Sequence, residues 1–406
     1  MKKKLAEKIV LVYLIYFLLI GLSLQPIDEL IKGLYLIFTS TGVLISDYMV
    51  IGGVGPALVN GAIVGLIGYL ILRINSVSMT GPSIAAIFTM LGFGLFGKNI
   101  WSILPNMVGV YLYSKITNQK FKKHIYPALF GTALAPVVTF YAFETSLGLP
   151  GGIIIGILAG TIISPLSTYL LKAHEGHNLY NVGFAAGFTG LLLYNILRSY
   201  NYFSESLLLW GTEFDNIIRL IIITMTLSMI VIGFIINNKS FKGYKETFKY
   251  PGTIITDYTH IVGFGNTLIN MGLVGLIGII YIELVGGNYN GPTLGGLLTI
   301  VGFGSYGKNP LNIIPIILGV FIGTLLTTHE ATAAGPMLAA LFGTCLAPIA
   351  GKFGPILGIL AGFIHLSIVS YVGVLHGGLN LYNNGFAAGL TATIFMAVMQ
   401  GFKKEI

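Results

Sequence analysis

Charge is what this sequence has least of. Only 9% of its 406 residues are Asp, Glu, Lys or Arg, while 55% are hydrophobic and the mean hydropathy is +0.86. A soluble chain of this length needs far more charge to cover its surface, so a water-soluble globule is excluded and a membrane protein is implied. Cysteine is almost missing as well. The single Cys345 excludes an internal disulfide and any multi-cysteine metal cluster. The net charge of +8 comes from Lys and Arg in short runs between apolar stretches, which read as orientation signals and not as a nucleic-acid footprint. What is abundant is glycine, 55 residues of it, with prolines scattered through apolar runs. Small residues let membrane helices approach closely, and broken helices line cavities. Met1-Lys-Lys-Lys leads into an apolar stretch at 9–24 without a small-residue cleavage site, so it reads as an uncleaved first span.

The sequence repeats itself. Gly81-Pro-Ser-Ile-Ala-Ala-Ile-Phe-Thr-Met-Leu-Gly-Phe-Gly-Leu-Phe-Gly-Lys-Asn99 returns 210 positions later as Gly291-Pro-Thr-Leu-Gly-Gly-Leu-Leu-Thr-Ile-Val-Gly-Phe-Gly-Ser-Tyr-Gly-Lys-Asn309. The same offset pairs Asp47-Tyr48 with Asp257-Tyr258 and Pro105 with Pro315. Further on, Phe130-Gly-Thr-Ala-Leu-Ala-Pro136 matches Phe342-Gly-Thr-Cys-Leu-Ala-Pro348, and Asn178-Leu-Tyr-Asn-Val-Gly-Phe-Ala-Ala-Gly187 matches Asn380-Leu-Tyr-Asn-Asn-Gly-Phe-Ala-Ala-Gly389. An ordered series of polar signatures cannot arise from glycine bias alone, so the chain is a duplication. Residues 1–200 form the first repeat, 201–250 a connecting segment that includes the first helix of the second, and 251–406 the second repeat.

Each half holds seven apolar segments, near 8–24, 54–73, 81–97, 100–116, 126–143, 151–171 and 181–198, then 215–237, 262–283, 291–307, 310–327, 335–350, 354–372 and 381–400. About 20 residues cross the hydrocarbon core as a helix. The third and seventh segments of each half are shorter and interrupted by glycine, so they read as re-entrant or broken helices. If all seven cross, starting inside, then Lys115, Lys120, Lys122, Lys123, Lys172, the run Lys239 to Lys249, Lys352 and the tail Lys403-Lys404 all fall inside. Asp28, Glu29 and the acidic stretch from Glu205 to Asp215 fall outside, in accord with the positive-inside rule. An odd number of crossings per half inverts the second copy. The expected fold is therefore an all-α integral membrane protein of two inverted-topology repeats, in the cell membrane with both termini cytoplasmic. Inverted repeats are typical of transporters that bind cargo near the midplane.

Several motifs carry candidate chemistry. Gly92-Phe-Gly-Leu-Phe-Gly97-Lys98 and Gly302-Phe-Gly-Ser-Tyr-Gly307-Lys308 spell a nucleotide-binding glycine pattern. No strand precedes either copy and no acidic ribose partner follows, so no nucleotide cofactor is expected. The glycines instead end a short helix, and Lys98 and Lys308 become candidates for charge selectivity, either snorkelling to an interface or attracting an anion. Asp47 and Asp257 join them as candidates for ion coupling, since a charge near an apolar span is a functional hypothesis by default. The strongest binding candidates are Asn178, Tyr180, Asn181, Asn380, Tyr382 and Asn383, which supply donors and acceptors where a helix begins. Such a helix start presents unpaired N–H groups and a positive dipole end, suited to a carbonyl or anionic cargo group; the plainer reading is a simple Asn cap. Gly81-Pro82 and Gly291-Pro292 would position the short helices, Pro being a normal first helical residue. His174-Glu-Gly-His177 lacks the spacing of zinc hydrolases, and its counterpart at His376 has lost the Glu and the second His, so no metal is expected.

As a whole the chain resembles an uncharacterised prokaryotic membrane family known only as a domain of unknown function. It is also similar, more faintly, to urea transporters. Asn290-Gly-Pro-Thr-Leu-Gly295 is similar to their Asn-Asn-Pro-x-x-Gly helix start, and Gly378-Leu-Asn-Leu-Tyr-Asn-Asn-Gly385 to their Gly-Leu-x-Gly-Tyr-Asn-Gly element. The first half has Thr80-Gly81-Pro82 in place of Asn-Asn-Pro. That second resemblance implies paired short helices and passive conduction of a small polar molecule through a central pore.

The expected function is a transporter or channel-like permease for a small polar solute or ion, bound between the halves. The rival expectation is a membrane-embedded enzyme or lipid-handling protein using the region His174–His177. Expected partners are a small solute or ion, membrane lipid and a second copy of the chain, with no cofactor and no nucleic acid.

Overall fold

The computed structural model describes residues 2–254 and 256–402; Lys403 and Lys404 lie outside them. Apolar runs bounded by Gly, Pro and Asn turn into helices throughout. The first half runs through α1 (Lys2–Ser23), α2 (Ile27–Thr39), α3 (Tyr48–Gly52), α4 (Val54–Ile74) and α5 (Gly81–Phe93). It continues with α6 (Ile103–Ile116), α7 (Ile125–Gly131), α8 (Ala135–Phe143), α9 (Gly148–Ala173) and α10 (Asn181–Arg198). The second half repeats the order with α11 (Asp215–Ile236), α12 (Tyr258–Ile261), α13 (Gly263–Val285), α14 (Gly291–Phe303) and α15 (Pro310–Leu326). It closes with α16 (Ala334–Gly343), α17 (Ala347–Phe353), α18 (Pro355–Val372) and α19 (Asn383–Gly401).

Eight stretches among the described residues are long and apolar enough to cross a membrane: α1, α4, α7 to α8, α9, α11, α13, α16 to α17, and α18 with its following turn. The protein is thus a multi-span helical membrane protein. All fourteen expected segments are helical, but their breaks differ from the expectation. The third segment ends at Phe93, because Gly94 and Gly97 take over; its 13 residues reach about 20 Å, short of the hydrocarbon core. The seventh segments are continuous helices of 18 and 19 residues. The fifth segments are the ones interrupted inside, by 3-10 turns at Thr132–Leu134 and Thr344–Leu346. In each the following Pro136 or Pro348 has no N–H to continue the ladder.

Helix α2 was not anticipated, since 13 residues cannot span. It is amphipathic, burying Leu30, Gly33 and Ile37 while leaving Ile27, Ile31 and Tyr35 exposed, the pattern of a helix lying in a membrane interface. The equivalent place in the second half holds only a 3-10 turn, Tyr244–Lys249.

The halves meet through α5 and α14, which run antiparallel. A Cβ on Gly92 would lie 2.8 Å from the Gly295 carbonyl oxygen, and one on Gly295 would lie 2.7 Å from that of Gly92. At the two ends, Gly81 meets Ser305 and Gly291 meets Leu95. Helices α10 and α19 form the second contact between halves, with Gly183 against Gly385. These two glycines occupy equivalent places in the repeat, so they sit on the pseudo-two-fold axis relating the halves.

One feature breaks the symmetry. Between α10 and α11 the linker pairs with the segment before α3: Leu207 N–H donates to the Leu44 oxygen at 3.1 Å and Leu209 N–H to the Ile45 oxygen at 2.9 Å. Ser204 Oγ donates to the Gly377 oxygen at 2.8 Å. This strap lies over the loop that carries His376 and Asn380.

Candidate functional site

The Asn-Leu-Tyr-Asn element is held by its own side chains. Asn178 Oδ1 accepts from Tyr180 N–H at 2.9 Å, and Asn380 Oδ1 accepts from Tyr382 N–H at 3.0 Å. Each bond closes an Asx-type turn that delivers the tyrosine at the start of α10 or α19. Asn178 Nδ2 also donates across the axis to the Gly385 oxygen at 3.0 Å. Asn181 and Asn383 bind His174 and His376 through Oδ1, both at 3.0 Å to Nε2. His174 Nδ1 accepts from Asn178 N–H at 3.2 Å, which makes Nε2 the protonated nitrogen. Burial draws the His174 imidazole down to about 4, and its neutral form is what these bonds require. Both nitrogens of His174 are therefore committed to pinning the loop. Among the described residues, no group of three or more His, Cys, Asp and Glu is placed to hold a metal.

The tyrosines reach the lysines of the opposite half. Lys98 Nζ donates to Tyr382 Oη at 2.7 Å, and Lys308 Nζ donates to Tyr180 Oη at 2.6 Å and to Thr344 Oγ1 at 2.7 Å. Each ammonium also lies over aromatic faces: Lys98 at 4.5 Å from the Tyr382 centroid and 5.1 Å from Phe93, Lys308 at 4.7 Å from Tyr180 and 5.3 Å from Phe303. Both lysines are fully buried, so neither snorkels. Their loops are fixed by residues the motif reading passed over. Asn60 Nδ2 donates to the Gly94 and Lys98 oxygens at 2.6 and 2.8 Å, and Asn270 does the same to Gly304 and Lys308 at 2.6 and 2.8 Å. Gly97 and Gly307 turn those loops at φ +83° and +86°, the left-handed region that favours glycine.

Around the axis lies a cavity of about 260 Å³. Its wall contains equivalent residues from both halves: Thr89 and Thr299, Phe93 and Phe303, Phe130 and Phe342, Leu179 and Leu381, Tyr180 and Tyr382, Val182 and Asn384, Gly183 and Gly385. The remainder is one-sided. Pro82, Tyr126, Ser167, Thr168, Ile254 and Tyr306 line it, but their counterparts Pro292, Leu338, Val369, Ser370, Leu44 and Phe96 do not. The cavity thus runs from the axis toward the face where α4 ends and α5 begins.

Of the sequence-derived candidates, Tyr180, Tyr382, Asn181 and Pro82 line this cavity, Lys98 and Lys308 stand behind its tyrosines, and Asn178, Asn380 and Asn383 shape the loops. Gly291 and Pro292 begin α14 away from it, beside Asp47. The aspartates lie at helix starts. Asp47 Oδ1 accepts from Met49 N–H at 2.9 Å and Oδ2 from Gly211 N–H at 3.1 Å, and the carboxylate also faces the first residue of α14. Asp257 Oδ1 accepts from Gly81 N–H at 3.1 Å, at the start of α5. Each aspartate caps the short helix that follows it in its own half, through Met49 N–H or Thr259 N–H, and Asp257 also satisfies a donor of α5 that Thr80 leaves alone. The phenylalanines, Thr89 and Thr299, and Asn60 and Asn270 were missed. All obey the repeat offsets, so a search for residues conserved between the halves inside apolar runs finds them.

A family model described as protein of unknown function (DUF1576) matches the chain twice, at residues 27–199 and 236–401. No curated protein and no solved structure matches. The likeness to urea transporters gains no support from these comparisons.

Proposed function

The chain belongs to that family of unknown function, DUF1576, and from the geometry we propose that it is a membrane permease whose cargo site is the axial cavity between two inverted repeats. The observation that carries this reading is the cavity wall itself: equivalent residues of both halves converge on one small chamber that extends to one face only. Chambers of this kind, at the interface of inverted repeats and beside helix ends, are where secondary transporters hold cargo.

Cross-half contacts support the inversion. Asp47 immediately precedes α3 and α4, yet lies at the start of α14, which follows α13. Asp257 precedes α13, yet bonds Gly81, which follows α4. The beginning of each long helix is beside the end of the other, so α4 and α13 run in opposite senses. Lys122 reaches the Ser76 oxygen at 2.7 Å, and Ile254 N–H reaches Gly176 at 3.3 Å. The lysine runs at 115–123 and 239–249 and Lys172 therefore share a face, the one toward which the cavity runs. By the positive-inside rule that face is cytoplasmic and the cavity faces the cytoplasm.

Flux of a panel of small solutes and ions into proteoliposomes tests the reading. Thr89→Trp and Thr299→Trp, which fill the chamber, are expected to abolish the flux the native protein supports. Unchanged flux in a folded double variant would sink the axial path. In a Cys345→Ala background, Thr168→Cys is expected to react with a membrane-impermeant thiol reagent from the cytoplasmic side alone.

A further inference from the structure

Resting on the permease reading, we propose that the cargo is a small organic anion of the monocarboxylate class, its carboxylate held between the Tyr180 and Tyr382 hydroxyls and its body among the phenylalanine rings. The charge pattern carries this. Lys98 and Lys308 are fully buried, and among the described residues no carboxylate lies within 4.0 Å of either ammonium. Buried charges are ordinarily paired. Here Lys98 has the Tyr382 phenol and ring faces as company, and Lys308 the Tyr180 phenol, the Thr344 hydroxyl and ring faces. The acidic residues nearest in the repeat pattern, Asp47 and Asp257, are committed to helix starts.

A second observation points the same way. Helices α10 and α19, of 18 and 19 residues, begin beside the axis, and no side chain caps either one. Gly183 and Gly385, in their first turns, form part of the cavity wall. Two uncapped N-termini bring their partial positive charges and free N–H groups to one place, a ready anion site. The Tyr382 hydroxyl, which accepts from Lys98, has no protein acceptor of its own among the described residues, so its proton is available to a ligand. Among the described residues no acidic side chain lines the chamber, so it offers no carboxylate to a cation. Phe93, Phe130, Phe303 and Phe342 in the wall offer nothing to a hydrated inorganic ion, but they suit an apolar body. About 260 Å³ lies below the range of drug-sized pockets, which restricts that body to no more than about the size of a single ring.

The test compares carboxylates with their neutral amides on the purified full-length protein at fixed ionic strength. Pyruvate and benzoate are expected to raise the melting temperature, whereas pyruvamide and benzamide leave it unchanged. Lys98→Met and Lys308→Met are each expected to weaken pyruvate binding by about tenfold, the scale of one lost charge contact. Tyr382→Phe, which keeps the ring, serves if a lysine variant fails to fold. Equal stabilisation by amide and carboxylate overturns the anion proposal, as does undiminished pyruvate binding in folded lysine and tyrosine variants. Labelled pyruvate flux in proteoliposomes separates the two readings. Binding without flux removes the permease and keeps the anion site; flux of the amides alone removes the anion site and keeps the permease.

Discussion

At the scale of single residues, the polar side chains inside the apolar body divide into those that hold backbone and those that face the chamber. Asp47 belongs to the first kind. Burial pushes its carboxyl up to about 6, against the opposing pull of N–H donors from Met49, Gly211 and Gly291. The folded protein then holds this proton more tightly than the unfolded chain. The associated stability is fully present below the ordinary carboxyl value and is lost as pH rises through about 6. Melting curves in detergent from pH 3.5 to 7 should show that decline, roughly 3 kcal/mol at most, and Asp47→Asn should flatten it. Asn60 and Asn270 also hold backbone. Either one changed to Ala leaves two buried carbonyl oxygens without their donor, at a cost of about 1–3 kcal/mol for each. A melting temperature unchanged in both variants would show that these oxygens find other partners.

At the scale of elements, the decisive contact is the crossing of α5 and α14 at Gly92 and Gly295. Each glycine meets the other's carbonyl, which does not give way as a side chain does. Gly92→Val or Gly295→Val should therefore cost about 1–3 kcal/mol through overpacking, with the double variant worse than either single one. Thermal unfolding of the three variants checks this. The repeat signatures made both helices legible beforehand, because Gly81-Pro82 and the Gly-x-Gly loops punctuate them clearly. Their role as an antiparallel pair across the axis was not legible, since nothing local records which half a glycine touches. The same limit applies to the site. Tyr180, Tyr382, Lys98 and Lys308 stood out by residue type, but their pairing between halves is a product of the fold. Asp47 and Asp257 looked like coupling charges for the same reason. Their partners, Gly211 and Gly81, are distant in sequence. Helix α2 escaped notice because its length fits no spanning pattern, although its two-faced character was there to be read.

At the scale of the molecule, the strap from Ser204 to Gly211 joins the two halves by pairing with Leu44 and Ile45. It lies on the face opposite the cavity's extension, so on the permease reading that face is expected to open only when the strap releases Leu44 and Ile45. Leu207→Pro together with Leu209→Pro removes two of its donors. In that variant, a cysteine at the buried Val369, the counterpart of Ser167, should become reactive to an impermeant reagent from the far side, in the Cys345→Ala background. Labelling no faster than in the unaltered strap would mean that other contacts seal this face.

The exchange of partners between halves also bears on how the protein is made. Lys98 is inserted long before Tyr382 exists, and the start of α5 waits for Asp257 through some 170 further residues of synthesis. The buried Lys98 finds its Tyr382 partner only when the second half is made, so the first seven segments leave the ribosome with that contact unmade. A chain interrupted in the linker is therefore expected to be degraded faster than the whole chain in pulse-chase labelling, the mark of two halves that acquire their stability together.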